Sequence, residues 1–139
     1  MVIFTKSRFY SPLHQIEVMK RMYPQFKAKR KGPIEVEFFG ILSVKPSLPD
    51  YSVSILYRGD LSPIVKVLDP KLVESPPHFY KNTGSLCLYH PDNYSWGSGK
   101  IIAKNIISWT ASWIYFYEIW LQKGIWYGPE VQHSNLKRN

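Results

Sequence analysis

The chain alternates between apolar and polar positions with two different periods, one typical of helices and one typical of strands. Ser11 and Pro12 are residue types that favour the N-cap and the first position of a helix. Apolar residues then recur at steps of three and four until Pro24, which disfavours helical geometry at the residue before it. This spacing predicts a first helix whose apolar stripe is formed by Leu13, Ile16, Met19 and Tyr23.

Three segments after this helix follow the two-residue period of half-buried β-strands. Residues 34–44 open on an alternation of apolar and acidic side chains, residues 52–57 alternate in the same way, and residues 64–68 are short and rich in β-branched residues. Proline or glycine separates the three segments, which predicts an antiparallel meander. The Lys-rich stretch of residues 27–31 is expected to form a solvated turn before the first strand.

Periodicity is lost after residue 68 and returns near residue 100. Residues 69–96 contain several prolines, so we expect a long ordered loop, a kind of segment that is often functional in compact domains. Residues 100–123 return to steps of three and four and predict a long helix. An order of helix, antiparallel strands, loop and long helix is typical of an α+β domain. The long helix is expected to pack into the core through Ile102, Ile106, Trp109, Trp113, Phe116 and Trp120.

Length and composition agree with one folded domain. The 139 residues are 45% hydrophobic and 16% aromatic, which is enough for a single core and too apolar for a disordered chain. We therefore expect one domain over residues 1–139. The most membrane-like stretch, residues 106–121, contains Glu118 and is shorter than the roughly 20 apolar residues that a spanning helix needs. It predicts a buried helix and no membrane insertion.

The cysteine content and the charge bear on compartment and partners. One cysteine cannot form an internal disulfide, and residues 1–6 lack the start of a secretory signal, so we expect a cytoplasmic protein. The net charge of +8, with basic residues at positions 20–21 and 27–31, fits an acidic protein face or nucleic acid phosphates. No nucleic-acid-binding motif accompanies this charge, so a basic nucleic-acid-binding domain is an alternative that depends on charge alone.

The single cysteine lies in the most informative part of the chain, residues 76–88, which read Pro-Pro-His-Phe-Tyr-Lys-Asn-Thr-Gly-Ser-Leu-Cys-Leu. This segment resembles the active-site segment of ubiquitin-conjugating (E2) enzymes, where a His-Pro-Asn motif, an Ile-Tyr-like pair, a glycine and an Ile-Cys-Leu follow the sheet in this order. In that alignment Cys87 falls on the catalytic cysteine. Pro76 replaces the histidine of the motif, His78 replaces its asparagine, and one extra residue separates Tyr80 from the cysteine.

Two further stretches resemble one particular group of E2-like proteins. Residues 87–92, Cys-Leu-Tyr-His-Pro-Asp, and residues 126–133, Trp-Tyr-Gly-Pro-Glu-Val-Gln-His, are similar to bacterial E2-like proteins of antiphage CBASS operons. The resemblance implies a ubiquitin-conjugating-enzyme-like fold, with an N-terminal helix, an antiparallel β-meander, a cysteine-bearing loop and a long C-terminal helix. It also implies a thioester with the C-terminus of a cGAS/DncV-like nucleotidyltransferase or a ubiquitin-like protein, which then passes to an acceptor lysine or another amine.

The implied chemistry has four roles to fill. A cysteine thiol can hold an acyl group in activated form and leave again when an amine attacks, which is the role of Cys87. His78 could donate a hydrogen bond to the oxyanion that forms during this attack. A nearby cation, for which His78, His90 and Lys81 are candidates, would raise the thiolate fraction, and Asp92 could orient the amine or accept its proton. The segment contains no phosphate-binding glycine loop and implies no cofactor, so activation of the carboxyl must come from elsewhere, for example from an E1-like protein.

Other interpretations of the same residues stay open. Cys87 between two leucines could be an inert core residue. With His78, His90 and His133 it could form a zinc site, although the paired cysteine spacing of zinc motifs is missing. A Cys-His hydrolase would need a base and an oxyanion hole around the same thiol. A non-catalytic interaction module of the E2-variant type keeps the fold without the catalytic cysteine, and the presence of Cys87 argues against it.

Overall fold

The predicted α+β order is confirmed by a computed structural model, which describes residues 10–89 and 96–129. The elements are α1 (Pro12–Met22), β1 (Lys27–Arg30), β2 (Val36–Leu42), β3 (Tyr51–Arg58), β4 (Leu61–Asp69), β5 (Phe79–Tyr80), β6 (Ser85–Leu86) and α2 (Ile102–Lys123). Strands β1 to β4 form one antiparallel sheet in that order, and β5 pairs with β6 in a separate two-stranded hairpin.

Helix α1 begins where the sequence predicts, but its packed face is rotated from the predicted stripe. The Ser11 side chain accepts a hydrogen bond from the His14 backbone N–H at 3.2 Å, so Ser11 is the N-cap. Leu13, predicted to be packed, is 63% exposed, whereas Gln15 is fully buried. Gln15 is inside because its amide bonds to the Lys100 carbonyl just before α2 and to the N–H of Ile102, the first residue of α2, which apolar periodicity cannot reveal. The prediction for Leu13 is wrong.

The four-stranded sheet supplies one layer of the core. Strands β2, β3 and β4 occupy the three predicted segments, and their register places Phe38 opposite Ile55 and Ile55 opposite Val65. All three side chains are buried, as expected for the inner face of an antiparallel sheet. The apolar residues that alternate along these strands therefore form the face of the sheet that packs against α2.

Strand β1 corrects the prediction of a basic turn. Residues Lys27–Arg30 pair with β2, with Lys29 opposite Glu37, and form one edge of the sheet. All four residues of β1 are exposed, so the strand shows no apolar alternation by which it could be recognised. Lysines along an edge strand discourage pairing with another chain.

Helix α2 supplies the other layer. Ile102, Ile106 and Trp113 are buried as predicted, whereas Trp109 and Trp120 are partly buried at the margin of the core. The helix ends at Gly124, whose φ of 75° is left-handed and whose N–H donates to the Trp120 carbonyl at 2.8 Å. Within the part of the chain that the structure describes, no helix is long and apolar enough to cross a membrane.

Candidate functional site

Cys87 lies directly after the short hairpin formed by β5 and β6. In this hairpin Tyr80 is opposite Ser85, and a tight turn connects the two strands. The turn closes through Gly84, which has a φ of 68° and donates its N–H to the Tyr80 carbonyl at 2.8 Å. Glycine adopts this left-handed conformation at no steric cost. The backbone N–H of Cys87 then donates to the His78 carbonyl at 2.9 Å, which extends the pairing by one residue beyond the strands.

The backbone at His78 is held in an uncommon conformation. Its φ is 51°, in the left-handed region that side-chain-bearing residues rarely occupy. The His78 carbonyl accepts hydrogen bonds from the Cys87 N–H at 2.9 Å and from the Trp113 indole N–H at 3.0 Å. Strained backbone of this kind persists only where the surroundings fix it, and it is frequent at functional sites. Trp113 of α2 therefore fixes the hairpin that carries Cys87.

The Cys87 thiol is buried and contacts the backbone of Tyr89. The Cys87 side chain is 6% exposed, and its Sγ donates to the Tyr89 carbonyl at 3.6 Å. Burial, followed by the neighbouring Cys87, raises the pKa of Tyr80. Burial likewise raises the pKa of Tyr89. Both phenols therefore stay protonated at neutral pH and can donate hydrogen bonds.

Tyr89 is positioned by contacts to two other elements. Its ring lies 5.4 Å from that of Trp109 in α2, centroid to centroid. Its hydroxyl donates to the Ser62 Oγ of β4 at 3.2 Å. The residues on either side of Cys87 thus connect the hairpin, the edge of the sheet and the long helix. The thiol lies where these three elements meet.

A small cavity of about 80 Å³ lies beside the cysteine-bearing segment. Both tyrosines contribute to its wall, together with apolar side chains from β4, β6 and α2. A larger hollow of about 360 Å³ adjoins the same hairpin, and its wall includes Phe79, Lys71 and Lys81. The complete lining of the small cavity is Ser62, Pro63, Val65, Tyr80, Leu86, Leu88, Tyr89 and Ile106.

Trp96 and Ser98, which precede α2, are hydrogen-bonded to the turn between β3 and β4. The Trp96 indole N–H donates to the Gly59 carbonyl at 2.9 Å. Asp60 Oδ1 accepts from the Ser98 N–H at 2.8 Å and from the Ser98 hydroxyl at 2.6 Å. These two hydrogen bonds lower the pKa of Asp60 below its ordinary value. The β3–β4 turn therefore fixes the entry into α2.

The structure describes some of the predicted site residues and not others. Cys87 and His78 are brought together through their backbones, and the His78 ring lies 4.9 Å from the Trp126 ring, centroid to centroid. His90 and Asp92 lie outside the described residues. Lys81 is exposed in the hairpin turn. Sequence reasoning assigned no role to Tyr80, although it stands in the tyrosine position of the recognised segment.

A metal site finds no support in the described residues. Among residues 10–89 and 96–129, no group of three or more His, Cys, Asp and Glu side chains is arranged to hold a metal ion. Two members of the zinc set considered from the sequence, His90 and His133, lie outside these residues. The described residues therefore contain no ligand cluster that would support the zinc interpretation.

Comparisons with known proteins place the chain in a family. A search of curated proteins found no match. The family model described as Type II CBASS E2 protein matches residues 15–134. The matched range runs from within α1 to beyond α2 and includes the hairpin and Cys87. Because the match covers far more than half of the sequence, the chain belongs to the family of Type II CBASS E2 proteins.

Proposed function

We propose that this protein is a cysteine-dependent conjugating enzyme of antiphage defence. In this proposal Cys87 takes up the C-terminal acyl group of a cGAS/DncV-like nucleotidyltransferase, or of a ubiquitin-like protein, as a thioester. It then transfers that acyl group to the amine of an acceptor protein. The family match supports an E2-like role in CBASS, and the lone cysteine supports a reducing, cytoplasmic setting.

One observation carries the choice of Cys87. The sequence contains a single cysteine, and that cysteine lies inside the range matched by the family. An E2-like thioester requires a thiol, so Cys87 is the residue that can form it within this chain. Cys87 directly follows a hairpin whose backbone is fixed by the Gly84 turn and by Trp113, and its Sγ donates to the Tyr89 carbonyl. These contacts support a chemical role for the thiol.

The transfer has two balanced steps. The Cys87 thiolate attacks an activated carboxyl, supplied as an acyl adenylate or as the thioester of an E1-like protein, and the adenylate or thiolate leaves as the S–C bond forms. An amine then attacks the acyl carbon, the C–N bond forms, and the C–S bond breaks to return the Cys87 thiolate. The amine loses a proton to a base or to water. Each attack passes through a tetrahedral oxyanion, which a positioned donor would stabilise.

The predicted helpers remain part of the proposal. His78 is predicted to donate to the oxyanion, His90 to raise the thiolate fraction and Asp92 to orient the amine. A described ring contact of His78 is with Trp126, which holds the imidazole beside the segment that follows α2. His90 and Asp92 follow Cys87 by three and five residues in the chain, and this proximity in sequence is the ground for proposing them.

The basic edge of the sheet suits an acidic partner surface. Strand β1 contributes Lys27, Lys29 and Arg30, all exposed, and the last turn of α1 adds Lys20 and Arg21. A face of one charge sign accelerates encounter with a partner of the opposite sign, and salt weakens this effect. We therefore propose this edge as the surface that meets the nucleotidyltransferase or the E1-like protein.

The test combines the purified protein with the nucleotidyltransferase encoded beside it, with ATP and with any neighbouring E1-like protein. The wild type is expected to give an adduct that reductant removes on a gel. Cys87→Ser should give an adduct that resists reductant, because an oxygen ester replaces the thioester, and Cys87→Ala should give none. A reductant-sensitive adduct that persists in Cys87→Ala would refute the nucleophile assignment. Repeating the reaction at rising salt tests the basic edge, which predicts slower adduct formation.

A further inference from the structure

The Cys87 thiol is held in a closed arrangement by its own chain. Cys87 is 6% exposed, and its Sγ donates to the backbone carbonyl of Tyr89 at 3.6 Å. The Tyr89 hydroxyl donates to the Ser62 Oγ at 3.2 Å, and the Tyr89 ring lies 5.4 Å from the Trp109 ring. Resting on the proposed function, we propose that Tyr89, through its contacts to Ser62 and Trp109, forms a latch that keeps Cys87 unreactive until Tyr89 moves away.

Thioester formation needs more room than the closed arrangement leaves. The S–C bond forms only after the acyl carbon, with a polypeptide attached to it, has come within about 3–3.5 Å of the sulfur. The thiolate that attacks has also lost its proton, so it cannot donate to the Tyr89 carbonyl, and its charge is repelled by that oxygen. The closed arrangement therefore favours the protonated cysteine, and the reactive arrangement requires the backbone at Tyr89 to shift.

Tyr89 is better able to move than the backbone that carries the cysteine. The Cys87 N–H is bonded to the His78 carbonyl, which extends the hairpin. Tyr89, by contrast, is bonded to Ser62, which is exposed, and its ring packs on Trp109, which lies at the margin of the core. Tyr89 and Ser62 also line the small cavity of about 80 Å³, so the latch borders unfilled space. Close packing, which resists movement inside a core, is absent at this point.

The latch differs from simple burial in the motion that exposes the thiol. A cysteine that only fills a core becomes reactive through global unfolding, so any change that destabilises the protein accelerates its modification. A cysteine behind a latch becomes reactive through local opening, whose free energy is smaller than that of global unfolding. Changes to the latch then accelerate modification of Cys87, and destabilising changes elsewhere do not.

The experiment measures alkylation of Cys87 by iodoacetamide in the folded full-length protein, followed by intact mass. Tyr89→Phe removes the donor of the hydrogen bond to Ser62 and keeps the ring, and Ser62→Ala removes the acceptor. Each variant loses one ordinary hydrogen bond of the closed arrangement, so alkylation is expected to be about 2- to 12-fold faster than in wild type. Because both changes remove the same bond, the double variant should be no faster than either single variant.

Two controls separate local opening from other effects. Gly40→Ala places a Cβ 2.5 Å from the Phe26 ring, which destabilises the sheet without touching the latch, and it should be alkylated at the wild-type rate. Tyr115→Phe removes a phenol whose ring packs on Phe116, and it should also leave the rate unchanged.

Three results would overturn the latch. The first is an equal rate in wild type, Tyr89→Phe and Ser62→Ala, and the second is an acceleration in Gly40→Ala as large as in these two variants. The third is a ratio of variant to wild-type rates that is lost between about pH 7 and about pH 9, because a hydroxyl that only alters the pKa of the thiol has no effect once the thiol is ionised. Local opening predicts the same ratio at both pH values.

A second assay keeps the latch distinct from the proposed function. The same proteins are mixed with a synthetic peptide α-thioester, whose small thiolate leaves as Cys87 takes the acyl group. Tyr89→Phe should load faster than wild type by the factor found for alkylation, and slower loading would overturn the latch. A wild type that takes up no peptide, while its latch variants are alkylated faster, overturns the proposed function and supports the latch. Normal loading of wild type with no acceleration in either assay overturns the latch alone.

Discussion

Replacing Gln15 with leucine tests how α1 and α2 are joined. Gln15 is fully buried, its Nε2 donates to the Lys100 carbonyl at 2.8 Å, and its Oε1 accepts from the Ile102 N–H at 2.9 Å. Helix α2 has no side-chain N-cap of its own, since Ile101 occupies that position. A side chain from another helix therefore supplies the acceptor that an N-cap residue usually provides. Gln15→Leu removes both bonds while keeping a similar volume.

The expected loss of stability depends on how exposed the two backbone groups are that lose their hydrogen bonds to Gln15, the Ile102 N–H and the Lys100 carbonyl. Ile102 is buried, and an unsatisfied buried N–H costs about 1–3 kcal/mol. Lys100 is an exposed residue, so water can replace the lost donor at its carbonyl at a net cost of about 0.5–1.5 kcal/mol. The more apolar leucine offsets about 1 kcal/mol of this. The expected destabilisation is about 1–3 kcal/mol, or a fall in melting temperature of about 3–12 °C for a chain of this size.

Urea unfolding of wild type and Gln15→Leu measures this difference as a lower midpoint with an unchanged slope. The matched control is Gln25→Leu, because Gln25 is exposed and its amide lies 3.4 Å from the Ile41 carbonyl. The control should stay within about 0.5 kcal/mol of wild type. If Gln15→Leu is equally stable, the amide is not the cap of α2, and the reasoning about its burial is wrong.

Two further predictions concern the sheet and the β3–β4 turn. A Cβ at Gly40 would lie 2.5 Å from the buried Phe26 ring, so Gly40→Ala should lower stability by about 1–3 kcal/mol, whereas Gly97→Ala, with open space, should not. The hydrogen bonds from Ser98 lower the pKa of Asp60, so their contribution is present above the ordinary aspartate pKa of about 3.9 and is lost as the pH falls below it. The difference in melting temperature between wild type and Asp60→Ala should therefore shrink in acid.

The strongly periodic parts of the chain were predictable because burial on one face dictates residue type. The strands β2 and β3 and the helix α2 were recognised on this basis, with boundaries shifted by only a few residues. Strand β1 was missed because an edge strand with both faces in water has no apolar face to reveal it. Gln15 was missed for the opposite reason, since hydrogen bonding rather than hydrophobicity places it in the core.

The candidate site could be predicted from the sequence only in part. The segment pattern identifies Cys87 and suggests a donor where the family carries asparagine, which directs attention to His78. The surroundings of Cys87 depend on the register of a two-residue hairpin and on a left-handed backbone at His78, and neither leaves a periodic signal in the sequence.

The hairpin gives the His78 backbone a part that its place in the sequence segment does not reveal. The hairpin turn closes through Gly84, and the resulting pairing brings the His78 carbonyl to the Cys87 backbone N–H at 2.9 Å. The same carbonyl accepts from the Trp113 indole N–H at 3.0 Å, which joins the cysteine-bearing backbone to α2. A change that disturbs the left-handed backbone of His78 would therefore move Cys87, whatever part the imidazole takes in the chemistry.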